Sequence, residues 1–415
     1  MSLLQRLCAA CPILLGLLLA ACAAPVVHDR AEPILILVSI DGFREDYFDL
    51  APTPVLDSLR RQGASSDALI QVFPTKTFPT HYSMVTGLHP GEHGIVSNNM
   101  YDPDMDARFA RHLRDAVQDA RWWGGEPVWN TAERQGVRAA TFFWPGSEAP
   151  VGGRQASEWR LFDESIDYDE RIDTALGWLD RPPPQRPRLI TLYFERVDTA
   201  GHRAGFESER LRLAIAEVDR ALGRLLSGIE RRGLADRVNL LIVSDHGMAS
   251  VDMERRIYLF DYIDAQRVRV IDWGPLAAIR PDPDYLDEAY ARLARAHPNM
   301  QVYRRENMPA RFHYRDHPRI APLLALADPG WMITRRDFVP SRPEVASHGW
   351  DPEAPEMHGI LIAHGPAFRS GLRVPRVEAI HLYELMCAVL DIEPAPNSGD
   401  LEAVRMLLRS GTSPP

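Results

Sequence analysis

Short apolar runs alternate along this chain with longer stretches of helical period. Residues 34–40 (ILILVSI) are apolar at all but one position and stop at Asp41-Gly42. A run of that length, closed by turn residues, predicts a strand buried on both faces of a sheet. Residues 137–144 (VRAATFFW), 188–195 (RLITLYFE), 238–245 (VNLLIVSD) and 358–366 (HGILIAHGP) have the same character. Residues 53–64 and 207–233 instead repeat apolar positions every three or four residues and reach glycine, which predicts helices. The alternation predicts an α/β doubly wound architecture, with a mostly parallel central sheet and helices on both faces. Residues 265–340 lose that rhythm and are rich in Arg, Pro and aromatics, so we expect a smaller inserted α+β subdomain there.

The first residues follow another pattern. Residues 1–21 hold one Arg, no acid and the apolar run PILLGLLLAA, too short to span a bilayer comfortably and suited to a signal-peptide core. Leu19-Ala20-Ala21-Cys22 resembles a bacterial lipobox, in which the cysteine is lipidated and begins the mature chain. The expected organisation is a lipoprotein signal peptide at 1–21, a tether at 22–33, the α/β core at 34–264 and 341–405 around the 265–340 insertion, and a tail at 406–415. The expected location is the periplasmic side of the envelope, lipid-anchored through Cys22, with outer-membrane sorting favoured because Ala23, not Asp, follows the cysteine.

Cys8, Cys11 and Cys22 belong to that leader, and Cys387 stands alone in an apolar helical stretch, so no internal disulfide is available. Removing residues 1–21 takes the formal charge from −10 to −11 (46 − 57). That balance argues against a stable nucleic-acid partner, which needs a basic footprint. It does not exclude an anionic small substrate if metal ions supply local positive charge. Lys76 is the sole lysine among 47 basic residues, set in FPTKTFPTHYS.

In an open α/β sheet, ligands gather beyond the carboxyl ends of the strands. Asp41 closes the first run, Asp245-His246 closes another, and Asp198 follows a third with His202 four residues on. One such Asp is an ordinary cap or turn former. Three carboxylates and two imidazoles delivered to one rim suit Zn²⁺.

SIDGFR, FPTKTFPTHYSMVTGLHPGEHGIVSNNMYDP, VDTAGHRAG, VSDHGM and SHGWDP, in that order, resemble the nucleotide pyrophosphatase/phosphodiesterases of the alkaline phosphatase superfamily. The resemblance implies two Zn²⁺, one held by Asp198, His202 and His348 and the other by Asp41, Asp245 and His246, with Thr77 between them as nucleophile. It implies Asn98, or alternatively Asn99, as a donor to the non-bridging oxygen. Phe78 would stack on a base, and Tyr193 and Phe162 would line the same slot. His81, His89 and His93 are expected to be structural or surface groups. The expected activity is hydrolysis of nucleotide phosphodiester and pyrophosphate bonds to nucleoside 5′-monophosphates through a phosphothreonine. The alternatives are a lipid or glycerophosphodiester (choline ester) phosphodiesterase and a non-catalytic metal-binding envelope lipoprotein.

Overall fold

β1 (Ile34–Ile40) is buried along its whole length because it runs through the middle of an eight-stranded sheet. The computed structural model describes residues 32–338 and 344–410. The expected signal peptide, Cys22 and most of the tether lie outside those residues, as does the end of the tail.

The other strands of the sheet are β2 (Ala64–Ile70), β3 (Ala139–Phe142), β4 (Glu158–Trp159), β5 (Leu189–Phe194), β6 (Val238–Val243), β7 (Leu361–His364) and β8 (Leu372–Glu378). Their spatial order is β8-β2-β7-β6-β1-β5-β3-β4. All pairings are parallel except those of β7, which runs antiparallel to both β2 and β6.

Side chains alternate across a strand, and β1 divides its residues accordingly. Leu35 and Leu37 enter one apolar core with the helix Leu382–Leu390, while Ile34, Ile36, Val38 and Ile40 enter the other with the helix Glu209–Arg231. Helices therefore cover both faces, as the continuous apolar run requires. β2 and β8 escape the apolar-run criterion. β2 (ASSDALI) carries two serines and an exposed Asp67, and β8 is a half-exposed edge strand.

Within the expected insertion, four antiparallel strands stand in the order Val268–Asp272, Leu276–Pro281, Leu323–Ala327, Met300–Arg304, over their own apolar core. The excursion is drawn together at its neck, where Ala346–Ser347 pairs antiparallel with Ala249–Ser250. That small ladder returns the chain to the rim of the main sheet. Among the described residues no helix is long and apolar enough to cross a membrane.

Candidate active site

Three adjacent strands, β5, β1 and β6, end at one rim. Asp41 directly follows β1, Asp245 and His246 follow β6, and Asp198 lies in the first turn of the helix Arg196–Ala204 beyond β5. Gly42 permits their approach. Its φ is +68°, and a Cβ there would stand 2.9 Å from Asp198 Cα, so a side chain is excluded by backbone and by space. Glu195, just before this helix, is gripped by the fully buried Arg171 through bonds of 2.6 and 3.0 Å, which fixes where the helix starts.

Thr77 reaches the rim from β2, as the first residue of the helix Thr77–Thr86. His348 reaches it from the neck of the insertion. Sequence positions 41, 77, 198, 245, 246 and 348 thus meet at one place.

The donor atoms are spaced as metal ligands are. Nε2 of His246 lies 3.0 Å from Asp245 Oδ2, 3.5 Å from Asp41 Oδ1 and 3.5 Å from Thr77 Oγ1. Asp198 Oδ1 lies 3.2 Å from His202 Nε2 and 3.8 Å from His348 Nε2. Ligands at about 2.0 Å around a tetrahedral ion stand roughly 3.3 Å apart. Asp41 Oδ1, Asp198 Oδ1 and Asp245 Oδ2 are buried without a hydrogen bond. Buried carboxylate oxygens without partners are costly, and a cation would satisfy all three.

The histidines are oriented for the same purpose. Nδ1 of His202, His246 and His348 each lies against a backbone carbonyl, of Ala346 (2.8 Å), Gly247 (2.9 Å) and Thr75 (2.8 Å). A carbonyl only accepts, so Nδ1 carries the proton and Nε2 offers its lone pair to the rim. Two compact groups result, Asp41/Asp245/His246 and Asp198/His246/His348. His202 lies at the outer edge of the second, against Asp198.

Charge is unbalanced at this rim. Burial, then the neighbouring Asp245 and Asp198, push the Asp41 carboxyl well above its usual range. Burial opposes a charge on His202, but Asp198 beside Nε2 and Glu344 beside Nδ1 outweigh it and push the imidazole well above its usual value, so a cation at the rim competes with a proton for Nε2. The residues fit a site for divalent cations.

A cavity of about 400 Å³ opens from Thr77, Asp41 and Asp198. Phe78, Phe143, Trp144, Phe162 and Tyr193 give it an aromatic lining. The Phe78 ring is only half exposed and packs edge-on to Phe109 and against Trp123, so one side is core and the other faces the cavity. Phe162 stands edge-on to Phe143 and Tyr193, its backbone N–H held by Glu148 at 3.1 Å. Tyr193 also donates its hydroxyl to Asp41.

Asn98 and Asn99 separate clearly. Asn98 Oδ1 accepts the Phe78 N–H at 2.9 Å and its Nδ2 makes no hydrogen bond within the described protein, whereas Asn99 Nδ2 is spent on Asp272 at 3.0 Å.

The sequence pattern gave no role to several residues at the site. Glu344 holds His202 Nδ1 at 2.9 Å, and its only signal is its place four residues before His348. His81 is fully buried behind Thr77, donating from Nδ1 to the Thr77 carbonyl at 2.8 Å and accepting from Ser39 Oγ at 2.8 Å. Arg111 and Arg203 line the cavity and make no ion pair among the described residues.

Comparison with known proteins agrees with this architecture. The family model for type I phosphodiesterase / nucleotide pyrophosphatase matches residues 35–351. A bis(5′-adenosyl)-triphosphatase of Xenopus laevis is 37% identical over 382 residues, which is 92% of this chain and 82% of that protein. Human ectonucleotide pyrophosphatase/phosphodiesterase family member 5 is 36% identical over 379 residues, 91% of this chain and 78% of that one. A structure of murine ectonucleotide pyrophosphatase / phosphodiesterase 5, an inactive threonine-to-alanine variant in complex with AMP, superposes with a TM-score of 0.86 at 35% identity. It covers 91% of this chain and all of that one.

Proposed function

The chain belongs to the type I phosphodiesterase / nucleotide pyrophosphatase family, and from that premise we propose a two-zinc hydrolase that releases nucleoside 5′-monophosphates from nucleotide diesters and pyrophosphates through Thr77. The observation that carries the reading is the position of the Thr77 hydroxyl, beside the carboxylates and imidazoles of the rim and in the lining of an aromatic slot.

Asp41, Asp245 and His246 would hold one Zn²⁺, and Asp198, His202 and His348 the other. Bound there, the ions supply positive charge that favours the Thr77 alkoxide and stabilises the attacking and leaving oxygens of an in-line displacement.

The chain's own residues do the rest. Thr77 gives its proton to solvent and its oxygen bonds to phosphorus, while the bond from phosphorus to the leaving oxygen breaks and the leaving group takes up a proton from solvent. Water then attacks the phosphothreonine, the Thr77 oxygen leaves and recovers a proton, and the monophosphate departs. Asn98 Nδ2, aimed by the bond between Oδ1 and the Phe78 N–H, donates to the non-bridging oxygen as charge develops. The amino end of the helix Thr77–Thr86 favours the same charge.

The aromatic slot, lined by Phe78, Phe162 and Tyr193, takes the base. Arg111 and Arg203 favour a substrate that carries further phosphates over one that carries a trimethylammonium group. The AMP bound by the murine relative supports a nucleotide in this slot. Lipidation at Cys22 would tether the enzyme to the envelope. The Cys22→Ser protein should then leave the membrane fraction with unchanged catalytic constants.

A rate panel tests the substrate reading. Dinucleotide and nucleoside triphosphate substrates should be cleaved far faster than a phosphocholine ester or a phosphomonoester. Thr77→Ala should remove nearly all turnover while bound metal stays near the native level, and Thr77→Ser should keep part of the rate. A faster phosphocholine ester would move the enzyme to lipids, and full activity of Thr77→Ala would replace the covalent step by direct attack of water.

A further inference from the structure

The one lysine in the chain is not at the surface. Lys76 and Asp272 are each 6% exposed, and Lys76 Nζ lies 2.6 Å from Asp272 Oδ2. The same carboxylate accepts from Ser97 Oγ, and its Oδ1 accepts from Asn99 Nδ2 at 3.0 Å. Its three side-chain partners therefore come from two segments. One segment, at Lys76, immediately precedes Thr77. The other, at Ser97 and Asn99, brackets Asn98.

Asp272 belongs to neither segment. It ends the strand Val268–Asp272 of the inserted sheet, where the register shifts between Val270 and Asp272. A bulge of this kind re-aims the side chain that follows it, and here the side chain is buried against the main domain. The lysine stem is confined too. Gly349, with φ +120°, would place a Cβ 3.1 Å from Lys76 Cε, so the loop that carries His348 closes over the stem. Thr75 completes the attachment, with its hydroxyl donating to Trp350 O at 2.9 Å and accepting from Gly349 N at 3.1 Å. In this enclosed space a lysine's flexible stem and compact head suit the geometry better than the wide fork of arginine.

We propose that Asp272, acting through Lys76, Ser97 and Asn99, is a positioning residue by which the inserted subdomain sets the distance between Thr77 and Asn98. The proposal rests on the reading of Thr77 as nucleophile and Asn98 as donor. It gives the insertion a role in turnover, since Asp272 of the insertion accepts from both segments.

The test compares Asp272→Asn, Lys76→Met and the double variant on a dinucleotide substrate, with melting temperature and bound zinc measured on each. Each single variant leaves a buried group without its partner and should melt lower, whereas the double variant removes the pair and should recover much of that loss. Positioning should not recover. All three variants should lose about 10- to 100-fold in kcat, the scale of a misplacement near 1 Å, with KM changed less than about threefold and bound zinc unchanged. Recovery of kcat together with melting temperature in the double variant would reduce the pair to a structural role and overturn the proposal. So would wild-type kcat in the singles, or a loss of zinc that accounts for the lost rate. Thr77→Ala, assayed alongside, keeps the two readings apart. If it is inactive while the Asp272 and Lys76 variants turn over normally, only the positioning role falls.

Discussion

Asn98 Oδ1 accepts the backbone N–H of Phe78 at 2.9 Å, so the donor end of this amide is aimed by the residue that follows Thr77. Among the described residues Asn98 Nδ2 has no hydrogen bond, whereas Asn99 Nδ2 is spent on Asp272. Asn98→Asp keeps the acceptor but replaces the donor with an oxygen of the wrong charge. Loss of a transition-state donor costs about 100- to 1,000-fold in kcat, and we expect that loss here with a smaller change in KM. Steady-state kinetics of Asn98→Asp and Asn98→Ala check it. An Asn98→Ala enzyme that keeps its rate would remove the residue from the mechanism.

Metal removal should register in stability as well as in rate. Three buried carboxylate oxygens lack hydrogen bonds at the rim, and an ion that binds the folded chain raises its melting temperature by mass action. Chelation should abolish hydrolysis and lower the melting temperature, and Zn²⁺ should restore both. Asp245→Asn, at the centre of one compact group, should harm metal content more than His202→Ala at the edge of the other. Fully demetallated protein with unchanged melting and turnover would rule the site out.

Phe78 divides its ring between the core and the cavity. Base–aromatic stacking is worth roughly 1–3 kcal/mol, so Phe78→Ala should cost about 5- to 150-fold in kcat/KM on nucleotides. Most of the loss should appear in KM, because the base stacks alike in ground and transition states. A small aryl phosphodiester without a base should lose less. Equal losses on both substrates would mean that the lost packing against Phe109 and Trp123 had moved the Thr77 loop.

Acid should destabilise the fold through His93. Its Nδ1 accepts the Ile95 N–H at 3.1 Å, so its proton sits on Nε2, 2.9 Å from Ser83 Oγ. Burial, with His89 and His317 adding, pushes this imidazole down to about 3. Below about pH 6.5 the unfolded chain binds a proton that the folded chain excludes. Stability is therefore complete above that pH and falls as the pH drops, by about 1.4 kcal/mol per pH unit for this one group. His89 and His317, each held near 4 chiefly by burial, act in the same direction. Urea midpoints from pH 7 to 4 should show the decline, and His93→Gln should flatten it. An equal slope in His93→Gln would assign the effect elsewhere.

The core strands β1, β5 and β6 were legible in the sequence because burial on both faces demands an unbroken apolar run, which is a local property. Asp41, Asp198, Asp245 and His246 followed from them, since a strand's carboxyl end fixes which residue comes next at the rim. β2 and β8 were not legible. Their serines and exposed edge carry no apolar run, and only pairing with their neighbours makes them strands.

The motif order already placed Thr77 and His348 at the site through resemblance, but it was silent on what holds them there. Lys76 and Asp272 stand 196 residues apart in the chain, and nothing local to either predicts the other. Asp272 lies in the segment whose sequence pattern was weakest, and it reaches Lys76 only because the insertion folds as its own sheet and docks against residues 97–99. Which asparagine keeps an uncommitted amide was likewise decided by tertiary contacts, since Asn98 and Asn99 are chemically identical and differ only in what lies beside them. The sequence determined which chemistry meets at the rim, because strand burial and turn position are written locally. Only the tertiary structure decided which buried groups join the loop at Thr77 to the segment at Asn98, because Asp272 and the Phe78–Asn98 bond bring together residues far apart in the chain.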